Sequence, residues 1–96
     1  GDCERFTDCC LGGISGEAMK IASFKTREEL QEFVQMLNIY ISARIRSESD
    51  RSKVSRLISL CSAVESLVHQ VEYNINVKLW NVVLVMRCMN AVKSVN

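Results

Sequence analysis

Residues 79–89 read LWNVVLVMRCM, and this stretch limits how the chain can fold. It contains five consecutive apolar residues, from Val82 to Met86, near the end of a chain of 96 residues. The alternation of apolar and polar residues over 71–79, and the β-branched run that follows, favour strands. However, the stretch 77–95 contains no glycine or turn pair that would close a hairpin. We therefore predict a long helix over 76–94, preceded by a bend at YNIN, residues 73–76.

A helical wheel of this segment shows where a partner is needed. Leu84, Val85, Cys88 and Ala91 fill one half of the wheel, whereas Val82, Val83 and Met86 share the other half with polar residues. A helix that is apolar on all sides must be buried on all sides, and two further helices cover only part of its circumference. We expect a second copy of the chain to cover the rest, as a homodimer or higher oligomer. The predicted interface residues are Leu79, Trp80, Val82, Val83, Met86 and Met89. Alternatively, the N-terminal arm and EAMKIASF, residues 17–24, fold back over this helix.

Two earlier helices are marked by capping signals. Thr26 and Glu29 have the spacing of a capping box, which predicts a helix over 27–46. The polar stretch RSESDRS, residues 46–52, then connects it to a second helix that Ser49 or Asp50 can cap. In that second helix, apolar residues recur at steps of three and four from Val54 to Val71, as in a helix that packs against other helices. The two helices should lie antiparallel.

The first residues lack such a period. Residues 1–16 contain all four glycines of the chain, so we predict an irregular N-terminal arm there and a single helical domain over 17–96. EAMKIASF fits either a short strand or a short helix. The predicted fold class is all-α, a small bundle of three principal helices. The alternative is an α+β fold with strands near 19–24, 71–79 and 82–88.

Composition excludes several classes of function. The net charge of +1 creates no long-range field that would by itself attract a nucleic acid or a membrane. Polar residues, including Lys78 and Arg87, interrupt the most hydrophobic stretch, so no membrane span is expected. The five cysteines are odd in number and do not form a disulfide framework. Cys61 and Cys88 fall within apolar patterns and fit small buried hydrophobic residues. An intracellular, reducing compartment is therefore favoured over secretion.

No catalytic or metal-binding pattern is complete. The one histidine, His69, lies on the polar face of its helix, whereas Cys61 lies on the apolar face, so the two cannot form a nucleophile and base pair. The only metal-ligand candidates are Cys3, Cys9, Cys10 and His69. They are weak, because adjacent cysteines rarely bind one metal and no C-x-x-C motif occurs. We predict no enzyme activity and no cofactor.

Basic residues gather where the first two long helices meet. They are Arg44, Arg46, Arg51, Lys53 and Arg56, with Glu48 and Asp50 between them. Such a cluster, repeated in an oligomer, would contact the phosphate backbone of a nucleic acid, and the absence of aromatic residues argues against stacking on bases. Nucleic-acid binding is therefore the alternative function.

The favoured function is a non-enzymatic module for protein interaction and assembly that self-associates through its C-terminal helix. A further protein partner is expected, without a feature that identifies it. The small size, lack of proline and cysteine-bearing N-terminus would also suit a viral or pathogen accessory protein.

Overall fold

The computed structural model describes residues 1–73 and 76–95, which form five α-helices and no β-strand. The helices are α1 (Asp2–Gly12), α2 (Ser15–Ile21), α3 (Arg27–Ser47), α4 (Arg51–Gln70) and α5 (Val77–Lys93). The predicted all-α class is confirmed. The α+β alternative is wrong for the described residues, because none of those within 19–24, 71–79 and 82–88 forms a strand. Residues 74 and 75 of the predicted YNIN bend lie outside the described residues.

Side-chain caps begin the three long helices. The hydroxyl of Thr26 accepts from the backbone N–H of Glu29 at 3.1 Å, and the Glu29 carboxylate accepts from the Thr26 N–H at 3.2 Å. Asp50 accepts from the backbone N–H of Ser52 at 2.9 Å at the start of α4. Asn76 accepts from the N–H of Leu79 at 3.1 Å at the start of α5. These caps satisfy N–H groups that have no partner within the helix, which explains why the helix boundaries match the capping signals.

The first long pair, α3 and α4, supplies half of the buried hydrophobic residues of the described core. The three-residue connection between Ser47 and Arg51 turns the chain back, so the two helices run antiparallel. Their facing sides are apolar, and the side chains there are fully buried: Leu37, Ile41, Leu57, Leu60 and Val64. The short connection and the apolar periods together account for this pairing.

The N-terminal segment differs from the expected irregular arm, because it forms α1 and packs into the core. Cys3, Phe6 and Cys10 recur at steps of three and four and give α1 an apolar face. Phe6 is fully buried, with its ring edge-on to that of Phe33 at 5.5 Å between centroids. Gly13 ends the helix in the left-handed conformation, with φ of 71°. The glycines therefore terminate a helix here and do not keep the segment irregular.

EAMKIASF is helical through Ile21, so the expected boundary between residues 16 and 17 falls inside α2. Ala18 and Ala22 are buried, and α2 packs against α1 and α5. The side-chain amide of Asn81 in α5 donates to the carbonyl of Phe24 at 2.8 Å. That bond ties the segment after α2 to the C-terminal helix.

Replacing Phe6 by alanine should lower the free energy of unfolding by about 3–5 kcal/mol, because it leaves a cavity beside Phe33. Replacing the exposed Ile14 by alanine should change it by less than about 0.5 kcal/mol. Urea unfolding of the two variants measures both values. Equal effects would show that α1 is not part of the core.

Candidate interaction surface

The inner side of α5 is enclosed by the rest of the chain. Leu84, Val85 and Cys88 are almost completely buried, and α5 packs against α1, α2, α3 and α4. Ser59 of α4 donates to the carbonyl of Ala91 at 2.8 Å, so these two helices approach each other closely. All four other helices are thus in contact with α5.

The outer side of α5 remains uncovered by these contacts. Leu79 and Met86 are 53% and 57% exposed, and Val82 and Val83 are half-buried. Their spacing of three and four residues places them on one face, here called the outer stripe: Leu79, Val82, Val83 and Met86. Folding of a single copy therefore leaves the outer stripe in contact with water. Its role in an interface stays a prediction.

Trp80 and Met89 lie on either side of the outer stripe, and both pack against the core. The guanidinium of Arg87 lies over the Trp80 ring, 5.5 Å from its centroid, and also donates to the Gln70 side chain of α4. Trp80 is therefore partly buried beside the outer stripe, and its role in an interface stays a prediction. Its indole nitrogen is buried without a hydrogen-bond partner among the described residues.

A groove of about 570 Å³ opens at the end of α5. We call it the C-terminal groove, and its wall includes Leu11, Arg56, Met89, Asn90, Lys93 and Val95. Met89 follows Met86 by one helical turn, so the outer stripe continues into the groove. The described lining contains two cationic side chains and no carboxylate.

The five basic residues of the predicted nucleic-acid site divide into two groups. Arg44 donates to the Asp8 carboxylate at 2.7 Å and to the Tyr40 hydroxyl at 3.3 Å. Arg56 donates to the carbonyl of Leu11 at 3.3 Å. Both side chains hold α1 against the long helices. The remaining three are exposed: Arg46, Arg51 and Lys53. Nucleic-acid binding by this cluster stays a prediction. Three of its five basic side chains are exposed and could contact phosphates, which is fewer than the sequence indicates.

The hydrogen bonds of Arg44 also affect its ionisation. Burial alone lowers the pKa of Arg44, but the hydrogen bonds with Asp8 and Tyr40 outweigh burial and raise the pKa above its ordinary value. The guanidinium therefore stays charged, and its ion pair with Asp8 persists wherever Asp8 is ionised.

The weak metal candidates do not come together. Cys9 and Cys10 are buried, whereas His69 is exposed near the end of α4. No group of three or more metal-ligating side chains is found within residues 1–73 and 76–95. All five cysteines are free.

No helix in the described part of the chain has the length and apolar character needed to cross a membrane.

Cys88 lies beside Cys10 in the core, where the two thiols interact. This interaction and burial raise the pKa of Cys88 well above its ordinary value. Both effects keep the thiol protonated, which favours packing over reactivity.

Some surface features could not be read from the sequence. Met36, Ile39 and Tyr73 are large hydrophobic residues whose side chains are exposed. The C-terminal groove has no sequence signal, because it forms only where the ends of α1 and α5 meet the beginning of α4.

Comparison of the chain with known protein families, characterised proteins and solved structures finds no match.

Replacing Arg44 by alanine should lower the free energy of unfolding by about 1–2 kcal/mol, because Asp8 and Tyr40 both lose a charged hydrogen-bond donor. Replacing the exposed Lys53 should have almost no effect. Thermal unfolding of both variants measures the difference. Equal stabilities would contradict a structural role for Arg44.

The raised pKa of Cys88 predicts how stability depends on pH. In the unfolded chain this thiol ionises near its ordinary value of 9.0, whereas in the folded chain it stays protonated. The contribution of Cys88 to the free energy of unfolding should therefore be constant below about pH 8 and fall as the pH rises through about 9. Urea unfolding at several pH values measures this profile. The fall should be shallower in Cys88→Ala, and identical slopes would refute the assignment.

Proposed function

We propose that the chain is a non-enzymatic assembly module that forms a homodimer through the outer stripe of α5. The observation that carries the proposal is the run of exposed and half-buried apolar side chains on a helix whose other side is already enclosed. Contiguous apolar surface of this kind marks interaction sites in soluble proteins. The outer stripe contains no charged side chain whose desolvation would oppose association.

The free energy of association comes from burying the outer stripe. Complete burial of one aliphatic side chain is worth about 1.5–3 kcal/mol relative to full exposure. Val82 and Val83 are already half covered, so Leu79 and Met86 gain most. In a homodimer each copy contributes the same set, which doubles the gain.

A second copy suits this surface because the outer stripe is complementary to itself. A two-fold axis through its middle places Leu79 of one copy against Met86 of the other, and Val82 against Val83. The other exposed large hydrophobic side chains of the described residues lie outside α5: Met36 and Ile39 are a pair on α3, and single residues are Ile14, Ile58 and Tyr73. Isolated side chains of that kind are ordinary on protein surfaces.

The proposal assigns the cysteines to packing. Cys9, Cys10, Cys61 and Cys88 are buried as free thiols, which suits a reducing compartment. It assigns no catalysis and no cofactor to the chain, and His69 acts as a solvated surface residue.

Replacing Met86 by glutamate should convert the dimer to a monomer, because it places a carboxylate against Leu79 of the other copy within the apolar contact. The matched control is Ile39→Glu, which changes an even more exposed apolar residue, at 70%, on α3. This control should leave the dimer intact. Size-exclusion chromatography with light scattering measures the mass of each variant, and circular dichroism checks that both remain helical.

If Met86→Glu leaves the mass unchanged, or if Ile39→Glu disrupts the dimer instead, the outer stripe is not the interface and the proposal is wrong.

A further inference from the structure

We propose that the C-terminal groove binds a free single-chain amphiphile with an anionic head, such as a medium-chain carboxylate. Arg56 and Lys93 bind the head, and the apolar wall of the groove covers the alkyl chain. This ligand-binding activity goes beyond the proposed homodimer and does not depend on it.

The size of the groove suits a small molecule. Its volume of about 570 Å³ falls within the range of roughly 300–1,000 Å³ that ligand sites occupy. Gly12 and Gly13 form part of its wall and have no side chains that would fill it. Because α5 packs against both α1 and α4, the groove exists without a ligand.

The charged part of the groove is positive. Arg56 and Lys93 line it, and the described lining contains no carboxylate. Neither cation forms an ion pair within the described part of the chain. The groove therefore favours an anion over a cation.

Arg56 is held in place without being neutralised. Its guanidinium donates to the carbonyl of Leu11 at 3.3 Å and to the carbonyl of Ser52 at 3.5 Å. Carbonyl groups orient the side chain but do not cancel its charge, and these bonds use two of its five N–H donors. Other donors remain for a carboxylate, which guanidinium groups bind through short, charge-assisted hydrogen bonds.

The apolar wall favours an amphiphile over a small inorganic anion. Leu11, Met89 and Val95 are partly buried and offer aliphatic surface in the same groove as the two cations. Methionine adapts to apolar groups of different shape, because its side chain is unbranched and flexible. An alkyl chain gains free energy by leaving water for this surface, whereas a phosphate ion does not.

Isothermal titration calorimetry of the full chain tests the ligand class with three probes. Decanoate carries an anionic head and an alkyl chain, acetate carries the head without the long chain, and decyltrimethylammonium carries the chain on a cationic head. Decanoate should bind at one site per chain, about tenfold or more tightly than either other probe. Complete burial of one methylene is worth about fourfold in affinity, so burial of two is enough for this difference from acetate.

Two results with these probes overturn the proposal. Equal binding of acetate would show that the apolar wall plays no part. Equal binding of decyltrimethylammonium would show that Arg56 and Lys93 do not select the charge of the ligand.

Paired variants test whether decanoate binds in this groove. Lys93→Glu should weaken binding about tenfold or more, because it replaces an attractive charge by a repulsive one. Lys25→Glu makes the same change at an exposed residue in the connection before α3 and should have no effect. Val95→Ser should weaken binding about threefold or more, because it removes part of the apolar wall. Ile39→Ser, at an exposed residue of α3, should not. Circular dichroism checks that all four variants remain helical.

The location is wrong if Lys93→Glu and Lys25→Glu bind decanoate equally, or if Val95→Ser and Ile39→Ser do. The proposal also fails if decanoate does not saturate the chain at concentrations up to about 1 mM. Vesicles of phosphatidylglycerol test an anionic membrane surface as the occupant. If Lys93→Glu abolishes vesicle binding while decanoate does not bind, the groove contacts a membrane and the proposal is wrong. Each of these failures leaves the proposed homodimer standing, because none of the variants changes the outer stripe.

Discussion

The contact between the inner side of α5 and the other helices is the interaction on which this structure depends. Leu84, Val85 and Cys88 are almost completely buried because all four other helices pack against α5. Within the described residues, none of these four helices covers Leu79 and Met86 on the opposite side of α5. The exposed outer stripe is therefore a consequence of the same packing that forms the core.

Helices α1 and α2 cover part of the surface of α5 within one copy of the chain. The sequence allowed that the first residues fold back over the C-terminal helix, and α1 and α2 do pack against it. Phe6 and the ion pair between Asp8 and Arg44 fix α1 in that position. Yet Leu79 and Met86 stay more than half exposed. Intramolecular packing thus covers the inner side of α5 and leaves the outer stripe partly exposed.

The sequence predicted the features that depend on residues close together in the chain. It did not predict those that depend on contacts between distant residues. Helix starts such as Thr26 are set by bonds between residues a few positions apart, so the three long helices were predicted nearly in full. Helix α1 was missed because Gly13 was read as part of a loop and because Phe6 is flanked by Arg5 and Thr7, which carry no apolar signal. The structural roles of Arg44 and Arg56 depend on bonds to Asp8 and Leu11, which are 36 and 45 positions away. The outer stripe was predictable from the apolar run alone, whereas the C-terminal groove required the positions of three helices.

The measurement that tests the central claim most directly is the mass of the unaltered chain in solution, determined by sedimentation equilibrium at tens of micromolar. If the outer stripe needs a second copy to cover it, the mass should be twice that of one chain of 10.9 kDa. It should also fall toward that of one chain on dilution, as expected for a reversible dimer. A mass of 10.9 kDa throughout that range would contradict the account, because a single copy would then be stable with its outer stripe in water.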